Sequence, residues 1–249
     1  MSLTDRQQDI LIAVVTEYVK TANPVGSKEL VKRYEFPYSS ATLRSEMSFL
    51  EEEGYLYQPH ISAGRIPTDK AYRLFVNYLG KRRATEIRLE EQKRLEEELI
   101  KLQVREKMMA RALAKLLSVF SRNLAIAGLL EEKEFFESGI NKLFTQPDFQ
   151  NIDEICRMAE FVDYLDENIE RLIHKTQPNE IKTFIGKESG ISESGNVSIV
   201  ISQCTLPEGE KGIIAILGPK RMEYQRNISI IRHVTKFLDE KHGRRKKKE

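Results

Sequence analysis

Residues 38–73 read YSSATLRSEMSFLEEEGYLYQPHISAGRIPTDKAYR. Two serines, Ser39 and Ser40, precede a helical segment, because short hydroxyl side chains accept from the unpaired N–H groups at a helix start. Leu43, Met47 and Leu50 fall on one side of a 3.6-residue wheel and predict a core face. Gly54 follows Glu51-Glu52-Glu53 where a helix ends. Tyr55-Leu56-Tyr57 predicts a strand, and Pro59 onward a hairpin around Ser62-Ala63-Gly64, with His60 and Arg65 near its tip. Pro67 ends the hairpin and Thr68 is placed to cap a further helix with the apolar stripe Tyr72, Phe75, Val76 and Leu79. Helix, strand, hairpin, helix is the order of parts in a winged helix-turn-helix.

The upstream residues supply the rest of that motif. Thr4 and Gln7 have capping-box spacing, and Ile10, Leu11, Val14, Val15 and Tyr18 recur at helical steps. Asn23-Pro24-Val25-Gly26 predicts a tight turn, after which Ser27 is placed to cap a short helix through Leu30, Val31 and Tyr34. On the third helix, Ala41, Ser45 and Ser48 lie opposite the core face, with Thr42 and Arg44 on its flanks. Hydroxyls, an alanine methyl and one arginine can lie against base edges. A merely solvated helix surface has the same composition, and the hairpin that follows shifts the balance towards a reader of DNA. A hairpin arginine suits a minor groove or a phosphate. Lys81-Arg82-Arg83 can touch the DNA backbone or simply favour the negative end of their helix.

Composition bounds the rest. The chain has 249 residues, of which 40% are hydrophobic and 31% charged, and no apolar run long enough for a membrane span. The net charge of +2 conceals a basic end: residues 241–249 carry +5 and the other 240 residues −3. Nucleic-acid affinity must therefore come from local placement of charge. Cys156 and Cys204 stand far apart, so neither a disulfide framework nor a cysteine zinc site is expected, and a reducing cytoplasm is the simplest location. His60, His174, His233 and His242 are scattered, and no nucleophile-elbow, P-loop or metal-ligand spacing occurs. No enzyme, cofactor or metal is expected.

The stretches NPVGSKEL, SSATLRSEM and YLYQPHISAGRIPTDKAYR together resemble the DNA-binding domain of the heat-inducible transcription repressor family, HrcA. The sequence departs from the family pattern at Ser45 for a usual Asn, at Ile61 for Thr and at Ala71 for Gly. FFESGINKLFTQPDFQ and GIIAILGPKRMEYQRNIS resemble parts of that family's GAF-like domain. Between these stretches the chain is short of residues, so it resembles a shortened member lacking the inserted dimerisation domain. The resemblance implies a repressor of chaperone and chaperonin genes, bound to an inverted-repeat operator and maintained by the chaperonin.

The expected fold is α+β and mainly helical. It has a winged helix-turn-helix over 1–83, a linker or dimerisation helix over 84–130, a reduced GAF-like domain with a small antiparallel sheet over 131–240, and a disordered basic tail over 241–249. Leu95, Leu99, Leu102, Met109, Leu113, Leu116 and Phe120 form a heptad seam on the linker helix. It is either the candidate homodimer contact, favoured because a long charged helix needs a partner for its single apolar stripe, or a stripe packed within its own chain. Helices are expected at 131–144 and 153–175, three strands at 181–186, 197–204 and 212–217, and a final helix with Tyr224, Ile228, Ile231, Val234 and Leu238 on one face. The candidate DNA contacts are Ser27, Ser39, Ser40, Ala41, Thr42, Arg44, Ser45, Ser48, His60, Ser62, Ala63, Gly64 and Arg65. The alternative function is a ligand-sensing regulator acting through the GAF-like domain.

Overall fold

A computed structural model describes residues 3–81, 87–102, 106–149, 152–178, 180–190, 195–206 and 209–246. The chain is a mixture of helix and antiparallel sheet and divides into two compact units, residues 1–83 and 84–249.

The first unit contains α1 (Asp5–Thr21), α2 (Ser27–Arg33), α3 (Ser40–Glu52), β1 (Leu56–Tyr57), β2 (Ile66–Pro67) and α4 (Asp69–Lys81). Thr4 closes a full capping box with Gln7. Ile10, Leu11, Val14 and Val15 of α1 meet Leu30, Leu43, Met47, Leu50, Leu56, Tyr72, Phe75 and Leu79 in the core of this unit. β1 and β2 pair antiparallel, Leu56 opposite Pro67 and Tyr57 opposite Ile66. Two local expectations change. Gly26, not Ser27, is the N-cap of α2, and Ser27 is its first residue, buried. The Thr68 hydroxyl donates to the carbonyls of Gly54 (2.8 Å) and Tyr55 (3.0 Å), tying α4 to the end of α3. Of the basic run, Lys81 ends α4, and Arg82 and Arg83 lie outside the described residues.

The second unit is built on a five-stranded antiparallel sheet of order β4-β3-β7-β6-β5, formed by β3 (Leu124–Leu129), β4 (Glu134–Ser138), β5 (Ile181–Ile185), β6 (Val197–Thr205) and β7 (Lys211–Pro219). α7 (Ile140–Phe144), a 3-10 turn at Pro147–Phe149, α8 (Ile152–Asp163) and α9 (Leu165–Ile173) cover one face. There Leu143, Phe149, Met158, Phe161, Ile169 and Leu172 fill the space over Leu124, Ile126, Ile199, Ile201, Ile213 and Leu217. α6 (Glu106–Ser121) and α10 (Tyr224–Lys246) lie on the sheet as well, and α5 (Leu89–Lys101) packs on both. Covered on two sides, β3, β6 and β7 are buried almost throughout and read as apolar runs rather than alternating ones.

Several expectations are corrected here. The sheet has five strands, not three, because 124–129 and 134–138 are a hairpin where the end of a linker helix and a new helix were expected. β3 is therefore an internal strand of the second unit, paired with β4 on one side and β7 on the other. The long helix is interrupted: α5 ends at Lys101, and Leu102 has a non-helical ψ of 64°. Its heptad seam packs within the chain itself. Leu95, Leu99, Met109, Leu113 and Phe120 are buried, and Leu102 and Leu116 half-buried, so this stripe is not left open for a second copy. The helix expected over 153–175 is two, divided at Tyr164. α10 keeps its apolar face of Tyr224, Ile228, Ile231, Val234 and Leu238 buried and continues to Lys246, through most of the stretch expected to be disordered.

Candidate nucleic-acid interface

The outward side of α3 begins at its cap. Ser39 accepts from the Thr42 backbone N–H (3.1 Å), and the two hydroxyls lie 3.0 Å apart, so both side chains serve the helix start. One turn on, Ala41, Arg44 and Ser45 are exposed. Among the described residues the Arg44 guanidinium has no ion pair. Ser40 and Ser48 are half-buried, and the Ser48 hydroxyl donates to the Arg44 carbonyl (3.1 Å). Of the candidate contacts on α3, the structure thus presents Ala41, Arg44 and Ser45 most openly.

The loop between β1 and β2 runs from Gln58 to Arg65 and is braced from inside. The Gln58 amide donates to the carbonyls of Ile61 (2.9 Å) and Ala63 (2.7 Å). His60, Ile61 and Ser62 project at the tip, with Ile61 fully exposed. Arg65 is at the base of the hairpin, not its tip. Its backbone exchanges two 2.9 Å hydrogen bonds with Val25. Its guanidinium turns onto α3, donating to Glu51 Oε2 (3.0 Å) and Ser48 Oγ (2.8 Å), and is 12% exposed. Gly64 is glycine for packing: a Cβ there would lie 2.5 Å from the Val25 carbonyl carbon and 2.6 Å from the Pro24 oxygen.

Three carboxylates hold this surface in shape. Glu46 of α3 pairs with Arg6 and accepts from Gln7 (3.1 Å), joining α3 to α1. Glu17 of α1, nearly buried, pairs with Arg33 of α2 at 2.6 Å. Burial first, and then the charge of Glu17, raise the Tyr34 phenol above its ordinary value. Glu51 accepts from the Gln58 backbone N–H (3.0 Å) as well as from Arg65, so one carboxylate grips both strands of the hairpin. Sequence reasoning missed Gln58 and took Glu51 only as part of an acidic helix end. It also passed over Lys28 and Lys32, exposed cations one helical turn apart on α2 with no ion pair among the described residues. Their i, i+4 spacing was the available signal.

Fold and site together define a two-part α+β protein, with a polar surface helix and a braced hairpin on one unit and a helix-covered antiparallel sheet in the other. A solved protein with this fold is known, described as a hypothetical protein at 2.2 Å resolution. It matches with a TM-score of 0.78 at 18% identity, over 97% of this chain and 99% of that one. The family model for the HrcA protein C-terminal domain matches residues 11–228, and the chain belongs to the HrcA family. The heat-inducible transcription repressor HrcA of Alkaliphilus metalliredigens is 26% identical over 339 aligned positions, covering 96% of this chain and 98% of that protein. An alignment longer than the 249 residues here means that this relative has stretches the chain lacks. The repressor of Pelotomaculum thermopropionicum is 50% identical over 101 residues, which are 41% of this chain and 27% of that protein. The relatives are named as repressors, not as enzymes, and no helix among the described residues is long and apolar enough to cross a membrane.

Proposed function

We propose that this chain is a sequence-specific DNA-binding repressor of chaperone and chaperonin genes, acting in the bacterial cytoplasm. In this reading the first unit is a winged helix-turn-helix, α3 is the reading helix and the β1–β2 hairpin is the wing. The observation that carries it is the open face of Ala41, Arg44 and Ser45 on a helix whose neighbours are locked by three carboxylate contacts. A rigid helix with a small polar face and an unpaired arginine can enter a major groove and present forked donors to a guanine. Lys28 and Lys32 supply phosphate contacts that set register, and His60 and Ser62 reach the flanking groove. The second unit, a five-stranded antiparallel sheet covered by helices, is read as the GAF-like domain that the family resemblance implies. It serves to bring two copies together on an inverted repeat, although not through the buried heptad seam. Heat control through the chaperonin is what the family resemblance implies.

Selection of random-sequence DNA on the full chain tests this reading. An enriched inverted repeat, together with a footprint over the same repeat before the organism's chaperonin operon, is the expected result. Enrichment of no sequence, or of a site with no such repeat, overturns it.

A further inference from the structure

The arginine of the hairpin is the residue whose position departs most from its expected use. On the sequence, Arg65 is a hairpin cation free to meet a phosphate. In the structure its Nε and Nη2 are both engaged, on Glu51 and Ser48, and little of the side chain meets solvent. Glu51 is in turn held by the Gln58 backbone, and Gln58 holds the tip through the carbonyls of Ile61 and Ala63. On the other side of the hairpin, Arg65 is stitched by its backbone to Val25, and Gly64 lies against Pro24 without room for a side chain. The hairpin is thus fixed to the last turn of α3 and to the turn before α2.

We infer that Glu51 and Arg65, with Ser48 and Gln58, form a clamp that sets the angle of the wing against the reading helix. Arg65 is a positioning residue and does not itself touch DNA. This rests on the proposed DNA-binding function and reassigns one of its candidate contacts. The physical distinction is sharp. A cation that neutralises a phosphate releases a counterion, so its removal flattens the dependence of log K on log salt by about one. A cation that only orients the wing releases none. Glu51 discriminates further: beside a phosphate-binding arginine its negative charge opposes binding, whereas in a clamp it supports binding.

The test uses the full-length chain and the duplex that the wild-type protein enriches, with affinity measured by fluorescence anisotropy across a salt series. Arg65→Ala and Glu51→Gln are each expected to bind roughly tenfold more weakly with an unchanged salt slope. Lys28→Ala, which removes a proposed phosphate contact, is expected to lower that slope by about one. A flattened slope for Arg65→Ala, or tighter binding by Glu51→Gln, overturns the inference. A second arm needs no DNA: hydrogen exchange in the free protein should quicken over residues 58–65 in Glu51→Gln and stay unchanged in α1. Unaltered exchange over the hairpin overturns the clamp whatever the binding data show. Glu51→Gln keeps an oxygen for the Gln58 N–H, so it serves if Arg65→Ala fails to fold. If the wild-type chain enriches no duplex, the proposed function fails, and the exchange arm still decides the clamp.

Discussion

Gly64 and Gly80 are both glycines of the first unit, with opposite surroundings. A Cβ at Gly64 meets backbone at 2.5 Å, while one at Gly80 meets nothing within 4 Å. Gly64→Ala must push the hairpin off the Pro24-Val25 turn and is expected to destabilise the protein by about 1–3 kcal/mol. Gly80→Ala is expected to raise stability, by up to about 1 kcal/mol, because alanine loses less backbone freedom in a helix. Urea unfolding of the two variants checks both signs. At the reading face, replacing Arg44 or Ser45 should change base preference by about 1–3 kcal/mol per lost contact in competition assays. Uniformly weaker binding with preference intact would remove α3 as the reader. In the second unit, burial first, and then Asp239, push the Cys204 thiol up to about 12. The fold excludes the thiolate, so stability is complete below the ordinary thiol value near ~8.5 and falls as pH rises towards 12. The urea midpoint should therefore drop between about pH 8 and about pH 10.5, and drop less in Cys204→Ala. At the lower pH, iodoacetamide should label the exposed Cys156 and spare Cys204 in the folded protein.

The elements show where buried charge fixes geometry. Glu17 has a side chain 3% exposed, and Arg33 of α2 is its cation. Arg33→Ala strands that carboxylate and is expected to cost about 1–3 kcal/mol, below the figure for a fully buried pair because Arg33 is itself half exposed. Adding Glu17→Gln should recover part of the loss; no recovery in denaturant melts would show that the cost comes from the arginine's packing alone. The β3–β4 hairpin was hidden by its punctuation. α6 ends on Arg122 at φ 59°, and the turn between the strands places Lys133 at φ 53°. Both are left-handed positions that normally select glycine or asparagine, so charged residues there gave no signal of a helix end or a turn. The strand between them, Leu124–Leu129, is a short apolar run that periodicity cannot separate from buried helix. The carbonyl of Ser118 near that helix end accepts from the Arg122 N–H (3.0 Å) and from Lys142 (2.6 Å), a long-range partner no local pattern reveals.

For the whole molecule, the division at residues 83 and 84 carries a prediction about assembly. A chain ending at Arg83 should keep the helical circular dichroism and cooperative melting of the first unit, whose core is drawn from its own residues. It should bind half of an inverted repeat nearly as well as the full chain does, and the complete repeat far more weakly. Linking two bound units raises their effective concentration, and that gain is lost with the second unit. Equal affinity of fragment and full chain for the complete repeat would rule out pairing through the second unit.

The sequence by itself determined the first unit. Its helices, its hairpin and its core face follow from capping residues, a proline-glycine turn and apolar spacing, all of them local signals. The same holds for β5, β6, β7 and the apolar face of α10. Tertiary structure alone decided what the remaining residues do. It turned Arg65 inward, because Glu51 and Ser48 lie within reach only once the hairpin folds back on α3. It closed the heptad seam inside the chain, because an apolar stripe reads the same whether its partner is a second copy or the sheet and helices of its own unit. It also added the β3–β4 hairpin, since the pairing of β3 with a strand some ninety residues further on is encoded by no local pattern.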